Sequence, residues 1–349
     1  MTESQIVVRN LSKTYRVPER EPGLGAALKS LVRRTYRDVE AVRDISFTVE
    51  AGEMVGFIGP NGAGKTTTLK MLSGLLHPTG GEARVMGFAP WERKHAYLRH
   101  ISMVLGNKSQ MLWDIPPLDS FRVLGEIYGV SPAGYRETLD ELIALLDMED
   151  LLNKPVRNFS LGERMKCELV AGLLHRPDVL FLDEPTLGLD VSMQGRLRRF
   201  FAEYNRRSGV TVILTSHYMA DVVALCPRVI LIHHGQLLYD GALQGLAEKL
   251  APFKLIRLAL RNGLSRHSEQ SEESSTTRGE KILRFAQNDD EVDIVERENG
   301  RFTLRVPRAE TPAITAHLLN TLPIVDLAVE DPPIEAVIDQ IYQEGKVEA

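Results

Sequence analysis

Cysteine is nearly absent: Cys167 and Cys226 are the only two in 349 residues, and no CxxC spacing occurs. That excludes a disulfide framework and a cysteine-built zinc site, and makes a reducing cytoplasm the expected setting. Long apolar runs are missing too. None approaches the ~20 residues needed to cross a bilayer; short pieces such as VLFL (179–182) and VILI (229–232) are typical. Any membrane role is therefore expected to come through a partner. The first residues, MTESQIVVRN, show no basic patch leading into an apolar stretch, so no signal peptide is expected. There is no basic excess either: 42 Lys and Arg against 47 Asp and Glu leave a net charge of −5, and nothing global points to nucleic acid. Hydrophobic content of 43% and charged content of 26% are ordinary for a soluble globular protein. The length can bury a substantial core and suits two domains.

From about 42 to 242 short apolar strands alternate with helical stretches. EMVGFIG (53–59), VLFLD (179–183), VTVILTS (210–216) and RVILI (228–232) are continuous runs rich in Val, Ile and Leu. Strands covered by helices on both faces read this way, which indicates an α/β fold around a parallel sheet. HPTGGEARVMG (77–87) reads as a turn feeding a small antiparallel addition, and 98–176 as a largely helical subdomain. Residues 20–38 read as an inserted basic amphipathic helix. Leu24, Leu28, Leu31 and Val32 fall on one face, with Lys29, Arg33, Arg34 and Arg37 elsewhere. Two readings fit it equally, a surface helix laid on the protein and a contact with lipid headgroups.

Beyond about 244 the character changes to a small α+β appendix, 245–349. KLIRLAL (254–260) and VDIVERENGRFTLRVP (292–307) alternate like strands, the latter around an Asn299-Gly300 turn. Helices are expected at 312–321 and 333–343, with a strand near 324–329. Residues 264–281, LSRHSEQSEESSTTRGEK, have too little apolar surface to offset their ordering entropy and read as a disordered insertion.

GPNGAGKTT, which is Gly59-Pro60-Asn61-Gly62-Ala63-Gly64-Lys65-Thr66-Thr67, fits G-x-x-x-x-G-K-[ST]. It follows the strand at 53–58 and opens a helix through Leu69, Leu72 and Leu76, the strand–loop–helix setting of a phosphate loop. Its glycines let backbone N–H groups converge on an anion, at the helix end where the dipole favours negative charge. Lys65 would reach the terminal phosphates of ATP, and the Thr66 hydroxyl would serve Mg²⁺. VLFLDEP (179–185) ends a buried strand with Asp183 and Glu184. Alternation along a strand would send the two carboxylates different ways, the first to Mg²⁺ and the second to act as general base toward the attacking water. His217, directly after the next strand in TSHYMAD (215–221), falls on the same sheet edge. It has two uses there, structural hydrogen bonding or a contact with the γ-phosphate. In NFSLGERMKCEL (158–169), Ser160 followed by Glu163 is a capping box. Taken alone, it means only a well-started helix.

In order, the phosphate loop, FSLGE (159–163), LFLDEP (180–185), LGLD (187–190) and TSH (215–217) resemble the ATP-binding cassette ATPases over about 5–242. The resemblance implies that FSLGE is a signature loop meeting the γ-phosphate of ATP held by an opposite subunit. Ser160 would offer its hydroxyl and Gly162 its N–H. It also implies that Asp190 couples the two sites and that Tyr15 stacks on adenine. Three departures stand out. The usual Leu-Ser-Gly-Gly-Gln is here Phe159-Ser160-Leu161-Gly162-Glu163, so Leu161 must take a backbone conformation open to non-glycine residues. The Gln that senses Mg²⁺ and water is replaced in register by Asn107, with Gln110 as the alternative. Tyr15 lies 44 residues before Gly59, across the inserted segment. The wording of the motifs and the appended C-terminal segment look most like ATPases of two-component exporters. That resemblance implies a dimer, with a copy of itself or a paralogous subunit, driving an integral membrane permease from the cytoplasmic face of the membrane. The competing expectation is a soluble cassette ATPase acting on ribosomes or DNA. The single phosphate loop, the missing coiled coil and the missing basic excess weigh against it.

Overall fold

The computed structural model describes residues 4–19, 35–106, 108–216, 218–244, 246, 251, 253–260, 292–298, 301–334 and 336–338. The chain divides into two compact units, Met1–Leu243 and Gln244–Ala349.

In the first unit, β1 (Ser4–Glu19) pairs antiparallel with β2 (Thr35–Glu50) along its whole length. β3 (Met54–Ile58) leads through the glycine-rich loop into helix α1 (Lys65–Leu72), and β4 (Gly80–Val85) returns to pair with the free side of β1. β5 (Ile101–Leu105) precedes three helices, α2 (Pro117–Tyr128), α3 (Pro132–Leu146) and α4 (Leu161–Leu173). Then come β6 (Val179–Asp183), α5 (Val191–Ser208), β7 (Thr211–Thr215), α6 (Met219–Leu225), β8 (Arg228–His233) and β9 (Gln236–Ala242). The central sheet runs β5-β6-β7-β3-β8-β9, parallel throughout except for the antiparallel β9 at its edge. Every residue of β3, β6 and β7 is buried, which is why these strands are unbroken apolar runs.

One core joins both sheets of this unit. Ile6, Leu11, Ile45 and Val85 of the three-stranded sheet share a cluster with Phe57, Phe181, Ile213 and Ile230 of the central one. Leu69, Met71 and Leu72 bring the inner face of α1 into the same cluster. Truncating Leu69 or Leu72, both 0% exposed, to alanine would cost about 2–5 kcal/mol. The helix behind the phosphate loop is thus fixed by packing rather than by intrinsic propensity.

Two expectations change. Residues 35–38, placed in an inserted helix, are strand: Thr35, Tyr36, Arg37 and Asp38 pair with Glu19, Pro18, Val17 and Arg16. Thr and Tyr favour a pleated surface, and the Arg16 guanidinium lies 4.7 Å from the Tyr36 ring centre across the ladder. The rest of that segment, 20–34, lies outside the described residues, as do 264–281 and the Asn299-Gly300 turn. Within 98–176, Ile101–Leu105 is the edge strand of the central sheet, so regular helix begins only at Pro117.

The second unit is a four-stranded antiparallel sheet, ordered β11-β12-β10-β13, with helix α7 (Thr311–Thr321). Its strands are β10 (Phe253–Leu260), β11 (Asp293–Glu298), β12 (Arg301–Pro307) and β13 (Ile324–Glu330). Ile256, Leu258, Phe302, Leu304 and Val306 pack against Ile314 and Leu318 of α7 as a separate core. Among the described residues no helix is long and apolar enough to cross a membrane.

Both cysteines are buried in the first unit, and desolvation pushes each thiol up to about 12. Thiolate is the reactive form, so the native protein should resist a maleimide at pH 7.5 and take up two equivalents after denaturation. Rapid labelling of the native chain would contradict this packing.

Candidate functional site

The phosphate loop is shaped by contacts that leave no room for side chains. A Cβ at Gly59 would lie 2.2 Å from the Ile232 carbonyl oxygen, and one at Gly64 would lie 2.5 Å from that of Ala41. Gly64 also sits at φ 110°, outside the range of other residues, and occupies the N-cap of α1 without a side-chain acceptor. The start of α1 is therefore an uncapped, positively polarised end, the arrangement that suits a phosphate. Ala63 closes the loop by donating its N–H to Pro60 at 3.1 Å, and its own carbonyl accepts from Gly235 at 3.0 Å. Lys65 is folded over the loop, donating to the Gly59 carbonyl at 2.6 Å and the Pro60 carbonyl at 3.1 Å. Burial holds its ammonium below the usual lysine range, partly offset by Glu184 and Asp183. Asn61 and Gly62 form the exposed tip of the loop, and Thr67 continues the helix.

Asp183 stands at the end of β6, where three elements meet. Its carboxylate accepts from the Thr66 hydroxyl at 2.8 and 3.0 Å and from the Thr215 hydroxyl at 2.7 Å. Thr66 opens α1 and Thr215 ends β7, so this one side chain joins the phosphate loop to two strand ends. Its backbone carbonyl accepts from Gly106 at 2.9 Å, just past β5. Glu184 does not continue the strand. It adopts φ 55°, left-handed for a non-glycine residue, with its N–H held by the Thr215 carbonyl (3.0 Å) and hydroxyl (3.1 Å). The alternation expected of the two carboxylates stops at Asp183; a backbone turn, not the pleat, directs Glu184. Such strain, of order 1–3 kcal/mol, is typical of functional positions.

A cleft of about 170 Å³ opens between Thr66, Lys70, Leu105, Lys108, Asp183, Glu184 and Leu187. Three of these, Thr66, Asp183 and Glu184, were candidates from sequence. Lys70, Lys108 and Leu187 were not, although each lies within four residues of a motif residue. The donors present fit Mg²⁺: a hydroxyl and a carboxylate, hard oxygens converging beside a phosphate loop. Among the described residues no cluster of three or more His, Cys, Asp or Glu could hold a metal unaided.

Behind the cleft a second network ties the chain segments together. Asp221 of α6, 1% exposed, accepts from Thr186 at 2.5 Å and Ser216 at 3.0 Å, and the Arg198 Nε of α5 lies 3.3 Å from its other oxygen. It joins the turn after Glu184 to the end of β7. His217 and Asn107 lie outside the described residues. Gln110 is described, and its backbone N–H is bonded to Glu168 of α4 rather than to any residue of the cleft.

The helix start at Ser160 has the expected capping box in full. Ser160 Oγ accepts from the Glu163 N–H at 3.3 Å, and Glu163 Oε2 accepts from the Ser160 N–H at 2.8 Å. The Ser160 hydroxyl also donates to Glu163 at 2.8 Å. Bonds from the Ser160 N–H and hydroxyl hold the Glu163 carboxyl below the usual range. Leu161 simply begins the helix, so no glycine is needed there. Gly162 packs closely on Met193: a Cβ there would lie 2.9 Å from the end of the Met193 side chain, which would have to shift. Met193 in turn gives its N–H to Asp190 Oδ1 at 2.9 Å, where Asp190 caps α5. Gly162 and Asp190 thus meet through one residue. Tyr15 is half-buried on β1 opposite Val39, with the Lys13 ammonium 5.4 Å from its ring centre. Ala41, two residues along β2, packs under Gly64.

Comparison with known proteins agrees with this geometry. The family described as "ABC transporter" matches residues 42–187, and "EvrA-like ABC transporter, C-terminal domain" matches 252–330. The chain is 37% identical over 210 residues to the ABC transporter ATP-binding protein NatA of Bacillus subtilis, covering 60% of this chain and 85% of that one. It is 34% identical to the Nod factor export ATP-binding protein I of Burkholderia lata, over 70% of this chain and 82% of that one. A solved ATP-binding subunit of an ABC transporter superposes with a TM-score of 0.59 at 26% identity, covering 70% of this chain and 92% of that one.

Glu163→Gln is expected to keep the capping box, since Gln can also reach back to the cap N–H. The melting temperature at pH 7 should move by no more than about 4 °C. The lowered carboxyl has a signed consequence. Its contribution to stability is full above the unfolded carboxyl value and is lost as pH falls through the folded one. The Gln variant should lack that acidic component, and an unchanged acid profile would contradict it.

Proposed function

We propose a specific task for this chain, which belongs to the ABC transporter ATP-binding proteins and is an ATPase: it powers a two-component exporter as a head-to-tail dimer. The supporting observation is that two helix starts of positive polarity, at Gly64 and at Ser160, flank different parts of the chain, and the cleft of Thr66, Asp183 and Glu184 lies at the first. Among the described residues none lining that cleft comes from 158–163, and in this reading the helix start at Ser160 and Gly162 meets the phosphate of a second chain. Residues 1–244 form the ATP-binding domain in this reading, and 245–349 form an appendix. The membrane permease is a separate protein, and export is favoured by likeness to a protein named for Nod factor export.

Within each site, backbone N–H groups of the 59–67 loop, Pro60 having none, cradle the phosphates and Lys65 neutralises the terminal one. Tyr15 stacks on adenine. Thr66 and Asp183 would hold Mg²⁺, which would supply positive charge against the phosphates, with Asn107 or Gln110 sensing it. Glu184 orients a water for in-line attack. As the water oxygen bonds to the γ-phosphorus, its proton passes to the Glu184 carboxylate and the bond to the ADP oxygen breaks. His217 contacts the γ-phosphate, and Ser160 and Gly162 of the opposite chain close over it. Asp190 links the two sites through Met193 and Gly162.

Glu184→Gln should bind ATP with near wild-type affinity and turn over at least about a hundredfold more slowly. Hydrolysis at the wild-type rate would remove Glu184 from the role of base. For the partner, a tagged chain drawn from gently solubilised host membranes should retain a stoichiometric multi-spanning protein. Recovery of ribosomes or DNA instead, with the ATPase active, would overturn the transport reading.

A further inference from the structure

Helix α4 carries a carboxylate that neither its capping nor its packing requires. Glu168 lies about two turns beyond Ser160 and is 4% exposed, between Cys167 and Leu169 at 0% each. Burying an ionisable group costs several kcal/mol unless its oxygens are satisfied. Its donors are a hydroxyl and a backbone N–H rather than a cation. The Ser109 hydroxyl bonds Oε1 at 2.5 Å, and the Gln110 N–H is shared between both oxygens at 3.0 Å. Met111 gives its N–H to Ser109 Oγ at 3.1 Å, completing the turn. Burial raises the Glu168 carboxyl while these donors oppose the rise.

The segment it holds is the one leaving β5 toward the cleft, and it is fixed at its other end too. Gly106 donates to the Asp183 carbonyl at 2.9 Å, and any Cβ there would lie 2.2 Å from the Glu184 carbonyl oxygen. Only positions 107 and 108 lie between these anchors, and Lys108 lines the cleft with Thr66, Asp183 and Glu184. Further bonds join the same two stretches. The Arg164 guanidinium lies 4.6 Å from the Trp113 ring centre, the Arg157 N–H reaches the Trp113 carbonyl at 2.9 Å, and Arg157 pairs with Asp114 at 2.9 Å.

We infer that Glu168 is a positioning residue for ATP hydrolysis: it fixes Ser109 and Gln110, and through them the neighbouring Lys108, at the Asp183–Glu184 end of the cleft, so that helix α4 is tied to the cleft. This rests on reading the cleft as the ATP site.

The test uses the full chain and reads kcat, KM for MgATP and melting temperature for Glu168→Ala, Glu168→Gln, Ser109→Ala, Lys108→Ala and the Glu168→Ala/Lys108→Ala pair. Glu168→Ala should lower kcat at least about tenfold, as a misplaced loop does, with KM within about threefold. Glu168→Gln, which keeps an acceptor for Gln110, should restore most of the rate. The double variant should be no slower than the worse single one, because both act through one loop. A folded Glu168→Ala with wild-type kcat, or losses that multiply in the double variant, would overturn the inference. If Glu168→Ala does not fold, Ser109→Ala decides: a lower kcat at unchanged melting temperature supports it, and an unchanged kcat refutes it. Glu184→Gln runs alongside. Were it active, the reading of the cleft itself would fail, whatever Glu168 does.

Discussion

The Asp183 carboxylate is the junction on which the site depends. A buried carboxylate is stable only when its lone pairs are used, and here the hydroxyls of Thr66 and Thr215 use them. Those bonds bring the first turn of α1 against the ends of β6 and β7. The Asp183 backbone adds Gly106, so the exit of β5 joins as well. Three neighbouring strands of a parallel sheet, β5, β6 and β7, therefore finish at one point, on the carboxyl edge where such sheets bind ligands. Glu184 follows immediately in a strained turn held by Thr215. The strain is tolerated because Asp183 and Thr215 fix the backbone on either side.

The second constraint is the use of helix ends. α1 begins at a glycine that supplies no cap, whereas α4 begins at a serine that is capped twice over. The first leaves its N–H groups to a ligand. The second keeps its geometry regardless of one, and pairs the Ser160 hydroxyl with an ionised Glu163. In the proposed dimer, a phosphate approaching Ser160 would compete with that bond. Met193 lies between Gly162 and the Asp190 cap, so a shift at either is felt at the other.

Much of this was legible in the sequence, for physical reasons that differ by residue. Strands buried on both faces are continuous apolar runs, so β3, β6, β7 and β8 stood out. The glycines of 59–64 and the Ser160–Glu163 pair have local causes and local signals. What escaped is set by distant atoms. Gly106 is required by the carbonyl of Glu184, and Lys108 joins the cleft because both ends of its loop are fixed elsewhere. Glu168 carries no local signal, since nothing nearby in sequence announces that Ser109 and Gln110 will satisfy it. The pairing of residues 35–38 was hidden behind the basic residues before them, which suggested a helix. The left-handed turn at Glu184 broke the strand alternation used to separate the two acids.

The central claim is that one chain's helix start completes another chain's ATP site. Light scattering on the Glu184→Gln protein, with and without MgATP, tests it most directly when Gly162→Asp is added in the same background. MgATP should double the 39.0 kDa chain mass for Glu184→Gln and leave the double variant monomeric. A mass unaffected by ATP, or a doubling that survives Gly162→Asp, would contradict it.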